Sequence, residues 1–167
     1  MNNRALVLCL ALLTLSFASF TGCSKKSGHD HKHDHSHGHH HHTPPHGGTA
    51  VVLGNEAYHV ELVLDATTGK LQAYLLDGEL ENFVRSAMPS FELSATFNGA
   101  TQTLLFQPVA NPATGETVGD TALFETQAEW LKTTASFDGA LKSINVKGTT
   151  YTDVKFNFPK GNDSHQH

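Results

Sequence analysis

Residues 57–65 read AYHVELVLD, and this stretch decides the fold class. Its apolar and polar side chains alternate, as they do along a half-buried strand. The apolar members share one face and should point into the core: Tyr58, Val60, Leu62 and Leu64. Because strand side chains point alternately to opposite sides, His59 and Glu61 should project outward from the sheet, on one common face.

Further short apolar runs, separated by Gly, Asn, Asp and Pro, follow the same pattern. We expect eight strands, at 50–53, 57–65, 71–76, 91–98, 101–107, 122–126, 140–146 and 150–158, with one helical turn at 127–132. Asn98-Gly99 is typical of a two-residue hairpin turn. The spacing predicts an all-β fold, an immunoglobulin-like β-sandwich of seven or eight strands; an open barrel is the structural alternative, because strand number does not determine closure.

The composition divides the 167 residues into four segments. Residues 1–22 predict a signal peptide, 23–48 a disordered histidine-rich tether, 49–160 the β-sandwich and 161–167 a disordered tail. From residue 24 to 48 there is no aliphatic or aromatic side chain, so this segment cannot form a core. The formal charge of −5, without a basic patch, argues against a nucleic-acid partner.

The N-terminal segment has the parts of a secretory signal: Arg4, the apolar run LVLCLALLTLSF at 6–17, and FTGC at 20–23. The last four residues resemble the lipobox of bacterial lipoproteins. The resemblance implies cleavage before Cys23, lipidation of its sulfur and a membrane anchor; Ser24 resembles the residue of lipoproteins sorted to the outer membrane, facing the periplasm. Because Cys9 would leave with the signal, the mature domain would keep no thiol for a disulfide or a thiolate metal site.

Residues 29–42 read HDHKHDHSHGHHHH, with nine histidines in fourteen positions. In an extended segment, residues i and i+2 lie about 6.5 Å apart on one side, so two imidazoles can converge on one Zn²⁺, Ni²⁺ or Cu²⁺ ion. The candidate ligands are His29, His31, His33, His35, His37, His39, His40, His41 and His42. Several overlapping pairs would compete, which favours labile capture or buffering. The alternative is a soluble spacer whose charge changes with pH.

A second candidate metal site combines His46, within Pro45-His46-Gly47-Gly48, with His59 and Glu61. Gly47-Gly48 would let the chain fold back and place His46 beside the other two, leaving one coordination position open. The alternative is that His59 and Glu61 are solvated and the two glycines form a hinge. His165 and His167 could add ligands, although a frayed tail accounts for them as well.

The order of these features resembles small histidine-rich envelope lipoproteins: lipobox, histidine tract, PHGG at 45–48, LGNEAYHVELVLD at 53–65 and GKLQAYLLD at 69–77. Residues 44–77 are also similar to the N-terminal segment of heavy-metal efflux periplasmic adaptor proteins. This resemblance implies metal handling, with His46, His59 and Glu61 at the matching positions. It further implies a metal transporter or efflux complex as a partner, to which this chain would be an accessory, since it lacks an adaptor's long helical hairpin.

No nucleophile elbow, phosphate loop or HExxH helix is present, so we expect no enzymatic activity. The sequence therefore predicts an envelope-anchored lipoprotein that captures, buffers or delivers divalent metal ions. The competing function is a non-catalytic protein-interaction module with the histidine tract as its spacer.

Overall fold

A computed structural model describes residues 43–163. These residues form an all-β domain of eight strands with no α-helix, which confirms the predicted class and strand number. The strands are β1 (Thr49–Leu53), β2 (Tyr58–Asp65), β3 (Lys70–Asp77), β4 (Phe91–Phe97), β5 (Ala100–Pro108), β6 (Leu123–Gln127), β7 (Phe137–Val146) and β8 (Thr149–Phe158). The predicted signal peptide, Cys23, the histidine tract at 29–42, His165 and His167 lie outside the described residues.

All strand pairings are antiparallel, in the order β1-β2-β3-β6-β5-β4-β7-β8. Strand β5 belongs to both halves of this nearly closed sheet, because Ala100–Phe106 pair with β4 whereas Gln107 and Pro108 pair with β6. The two edge strands, β1 and β8, also contact each other. The sheet therefore has one enclosed face, which holds the core, and one outer face.

Two hairpin turns follow directly from the sequence. Asn98 and Gly99 have φ of 49° and 76°, and Lys147 and Gly148 have φ of 50° and 85°. Two consecutive positive φ values define the hairpin turn that Asn-Gly and related pairs favour, because its twist matches that of the flanking strands. These turns set the β4–β5 and β7–β8 registers, and so decide which side chains face the core.

The core fills the enclosed face with alternate residues of every strand. Val60 and Leu62 are fully buried there, as the alternation in 57–65 predicts, and the Phe91 and Phe106 rings stack with centroids 4.7 Å apart. Strand β7 begins three residues before its predicted start, and Gly139 lies in this added part. A Cβ at this position would clash with the Phe156 ring, so only glycine lets that ring pack over the strand.

The packed domain extends beyond the predicted limits of 49–160. Residues 44–48 fold against β2, and the Asn162 side chain bonds both backbone groups of Val52 on the edge strand β1. The predicted helical turn is present as a 3₁₀ turn at Glu129–Lys132. Across the described range, no helix has the length and apolarity needed to span a bilayer.

Candidate metal centre

A tight turn at residues 44–48 builds the first part of the site. The Gly47 amide donates to the Pro44 carbonyl at 3.0 Å, which closes the turn, and Gly47 has a φ of 68° that suits glycine. Gly48 then passes so close to β2 that a Cβ would lie 2.6 Å from the Leu62 carbonyl oxygen. The two glycines therefore let the chain lie against β2 with His46 at the head of the turn.

Glu61 of β2 holds this turn in place. Its Oε1 accepts the backbone amides of His46 at 2.8 Å and Gly48 at 2.9 Å, and its Oε2 lies 2.8 Å from His46 Nδ1. The Glu61 side chain is 0% exposed, so its carboxylate depends on these three partners in place of water. Beside a carboxylate, which only accepts, His46 Nδ1 carries the proton and donates it to the hydrogen bond.

The His46 ring is also held from its flat side. It stacks on Tyr74 of β3 at 3.9 Å between centroids, and the Phe83 ring lies 5.7 Å away. Burial, together with the charges on Glu125 and Glu61, raises the pKa of the Tyr74 phenol above its ordinary value. Tyr74 thus stays neutral, and no charge appears on the ring beneath His46. The imidazole is 36% exposed, so the held ring still reaches solvent.

His59 lies on the same outer face but makes different contacts. Its Nδ1 bonds the Asp77 carbonyl oxygen at 3.1 Å, where β3 ends, and the residue is 6% exposed. The prediction that His59 and Glu61 share the face opposite the core holds, whereas the alternative that both are solvated is wrong. Residues 44–48 and Phe83 cover this part of the face, and the alternation within one strand carries no information about such a cover.

The structure brings together two of the three residues of the predicted metal set. His46 and Glu61 are in direct contact, but His59 is bonded elsewhere, and residues 43–163 contain no group of three or more His, Cys, Asp or Glu side chains placed to hold one ion. Because both Glu61 oxygens are engaged, Glu61 is arranged as the hydrogen-bond partner of an imidazole. The atom of this site that can ligate an ion is His46 Nε2.

Tyr74 is the site residue that the sequence analysis missed. The signal was available: the Thr67-Thr68-Gly69 turn pairs Asp65 with Lys70, and counting back along the hairpin places Glu61 directly opposite Tyr74. Phe83 carries no comparable signal, because it reaches the site from an irregular segment that pairs with the end of β3 around Leu76, where the Asp77 amide donates to the Asn82 carbonyl and the Val84 amide to the Leu75 carbonyl.

Comparisons with known proteins add no information about function, so the assignment rests on the residues of this chain. No family model, curated protein or solved structure matches this chain. The resemblance to efflux adaptor proteins therefore stays a prediction.

Proposed function

We propose that this protein is an envelope lipoprotein that binds divalent metal ions of the Zn²⁺, Ni²⁺ and Cu²⁺ group. In this proposal Cys23 carries the lipid anchor on the outer membrane, the histidines at 29–42 capture ions, and His46 is the ligand that the folded domain contributes. Captured ions would be buffered or delivered to a transport system. Each histidine supplies a nitrogen of the kind these borderline ions prefer.

The Glu61–His46 contact is the observation that carries the proposal. Histidines that ligate metals usually donate their second ring N–H to a carboxylate, which fixes the tautomer and makes the ligating nitrogen more basic. Glu61 stands in that relation to His46 at 2.8 Å, and the Tyr74 ring fixes the plane of the imidazole. A fully buried carboxylate is costly merely to fasten a turn, whereas it is the usual partner of an imidazole that must present its other nitrogen.

The position of His46 in the chain joins the two parts of the proposal. The tract ends at His42, four residues before His46. Four residues span at most about 14 Å, so a histidine at the end of the tract can reach an ion on His46 Nε2. The tract would thus supply the further ligands that residues 43–163 lack around His46. Ions bound by overlapping His-x-His pairs exchange readily, which suits transfer to or from a fixed imidazole.

Calorimetric titration of the full chain with Zn²⁺, Ni²⁺ and Cu²⁺ tests this function, beside a chain lacking residues 29–42 and a His46→Ala chain. We expect several sites in the full chain, loss of most of them on deletion of the tract, and loss of the tightest site in His46→Ala. Unchanged titration curves in both variants, or no binding to the full chain, would refute the proposal.

One observation favours the competing function as a protein-interaction module. Phe83 is 49% exposed next to His46, a large apolar surface that a partner could cover. Deleting residues 29–42 separates the two functions in cells. If the deletion abolishes metal tolerance while the fold stays intact, metal handling is supported. If the deletion leaves tolerance unchanged and Phe83→Ser abolishes binding of a partner protein, the interaction module is supported.

A further inference from the structure

Strand β8 is one edge of the sheet, because it pairs with β7 and no ladder joins it to β1 within residues 43–163. Its sequence, TTYTDVKFNF, consists mostly of β-branched and aromatic residues, which favour strands. An edge strand offers unpaired N–H and C=O groups to any other chain, so proteins usually protect it. The two edges of this sheet are protected in different ways.

The edge strand β1 is covered by the end of the domain. The Asn162 side chain accepts the Val52 amide at 2.7 Å and donates to the Val52 carbonyl at 3.2 Å, as a neighbouring strand would. Gly161 exchanges two backbone hydrogen bonds with Asn157, of 3.0 and 2.6 Å, so the same segment also covers the last part of β8. Before Asn157, the described part of the chain gives β8 no such backbone partner on this side, and residues 149–155 form an open edge.

A break in the middle of β8 interrupts this open edge. Asp153 has a φ of 48°, in the left-handed region that strand residues other than glycine rarely adopt. The ladder with β7 pairs residues on both sides of the break but omits Lys142 and Asp153, and Lys142 Nζ donates to the Asp153 carboxylate across the gap. Aspartate adopts the left-handed conformation more readily than most residues, because its short polar side chain can form local hydrogen bonds. The residue type therefore suits the break.

The break also shifts the alternation of the β7–β8 hairpin by one residue. Leu141 and Ile144 of β7 are both fully buried although they lie three positions apart, whereas side chains on one face of an uninterrupted strand lie at even spacings. The backbone groups shift in the same way. The two-residue turn at 147–148 directs those of Thr149 toward β7, whereas the bonds to Gly161 direct those of Asn157 away from β7. In an uninterrupted strand both residues would point to the same side, because an even number of positions separates them.

This shift prevents one straight strand from bonding along the whole edge. A strand paired with 149–152 would have its bonding groups one residue out of step with those at 154–157. Each half alone is shorter than a typical strand of about 5–6 residues, so pairing with it would be weak.

We propose that Asp153 closes this edge to strand addition, so that a second copy of the chain cannot extend the sheet at β8. A second copy is the relevant competitor, because every copy presents the same strand-forming sequence. A partner protein would then recognise side chains of the domain and not an open strand at β8.

Replacing Asp153 by a β-branched residue tests the proposal, because valine and threonine strongly disfavour a positive φ. The full chain is kept in a density-matched detergent, and its mass is measured by sedimentation at rising protein concentration. We expect wild type and Asp153→Asn, which tolerates the left-handed conformation, to stay single chains. Asp153→Val and the milder Asp153→Thr should straighten β8 and associate, with an increase in mass of at least about twofold.

Amide hydrogen exchange shows where the chains associate. The Lys155 amide points away from β7, as that of Asn157 does two residues later. It should exchange fast in wild type at every concentration and slowly in the associated variants. Slow exchange of the Val60 and Leu62 amides, in the central strand β2, verifies that each variant is folded.

Thr152→Val is the matched control, since it adds the same side chain one residue away, at an exposed position without a positive φ. It should stay a single chain. The proposal would be overturned if the folded Asp153→Val and Asp153→Thr chains both stayed single. Equal association of Thr152→Val would overturn it as well, because added apolar surface would then be the cause. So would a wild-type Lys155 amide that became protected as the concentration rose, because the edge would then be open to a second copy.

Discussion

The two halves of the sheet differ in what lies on their outer faces. On β2 and β3 the outer face is covered by the turn at 44–48 and by Phe83, and it holds a carboxylate, Glu61, with no exposed surface. On β4, β5, β7 and β8 the outer face is an open groove of short polar side chains. The same strand alternation thus produces a buried polar site in one half and a solvent-facing surface in the other, and the segments between the strands decide which.

Replacing Glu61 should have the largest effect. In Glu61→Ala, the amides of His46 and Gly48 lose their acceptor and a cavity forms at a fully buried position, so we expect a loss of about 2–4 kcal/mol in the free energy of unfolding. Glu92→Ala, an exposed glutamate on the open face, is the matched control and should change it by less than about 0.5 kcal/mol. Urea unfolding of both variants measures the difference. Equal losses in the free energy of unfolding would mean that the turn at 44–48, held by Glu61, contributes nothing to stability.

Gly48→Ala should have the second-largest effect on stability, because the added methyl group would push the turn at 44–48 away from β2. The new Cβ would meet the Leu62 carbonyl oxygen at 2.6 Å and Val63 Cγ2 at 2.8 Å, which we expect to cost about 1–3 kcal/mol. Gly47→Ala meets no atom within 4 Å and should cost about 1 kcal/mol through its positive φ alone. If the two variants unfolded at the same urea concentration, close packing of the turn on β2 would be disproved.

A smaller effect should appear in acid through Asp77, which ends β3 beside His59. Burial acts to raise the pKa of this carboxyl, but hydrogen bonds from the Asn82 side chain and from the amides of Asn82 and Glu81 outweigh it, and the pKa lies below its ordinary value of 3.8. The ionised form therefore stabilises the fold above that value, and the contribution disappears as the pH falls through the lower folded-state pKa.

Asp77→Asn should thus flatten the dependence of unfolding free energy on pH below about 4. Stability would be measured by urea unfolding from pH 6 downward in both proteins. Parallel curves for wild type and variant would assign the acid sensitivity to other carboxyls, such as Asp65, whose pKa the Thr68 hydroxyl and Thr67 amide lower.

The smallest effect should come from the open face. Asp138→Ala removes an exposed side chain that accepts a hydrogen bond from the Asn157 side-chain amide, and we expect a change within about 0.5 kcal/mol in the free energy of unfolding. A loss of stability comparable to that of Glu61→Ala would show that the Asp138–Asn157 contact is a structural element of the fold.

The sequence predicted the strands better than the surroundings of the site. Local signals were sufficient for the fold, since alternation identifies the faces of β2 and the Asn98-Gly99 pair identifies a hairpin. The contact of His46 with Glu61 was also within reach, because two glycines mark a chain that can fold back. The burial of His59 and the approach of Phe83 were not, because both depend on how a loop packs across neighbouring strands, and loop packing leaves no periodic trace in the sequence.

Metal binding at His46 is tested by following its ring nitrogens with ¹⁵N NMR during a Zn²⁺ titration of the full chain, with Glu61→Gln as the comparison. We expect a proton on Nδ1 before metal is added, a zinc-dependent shift at Nε2, and zinc affinity at this site reduced about 10–100-fold in Glu61→Gln. Unchanged His46 ring signals while the histidine tract takes up zinc would show that His46 is not a metal ligand.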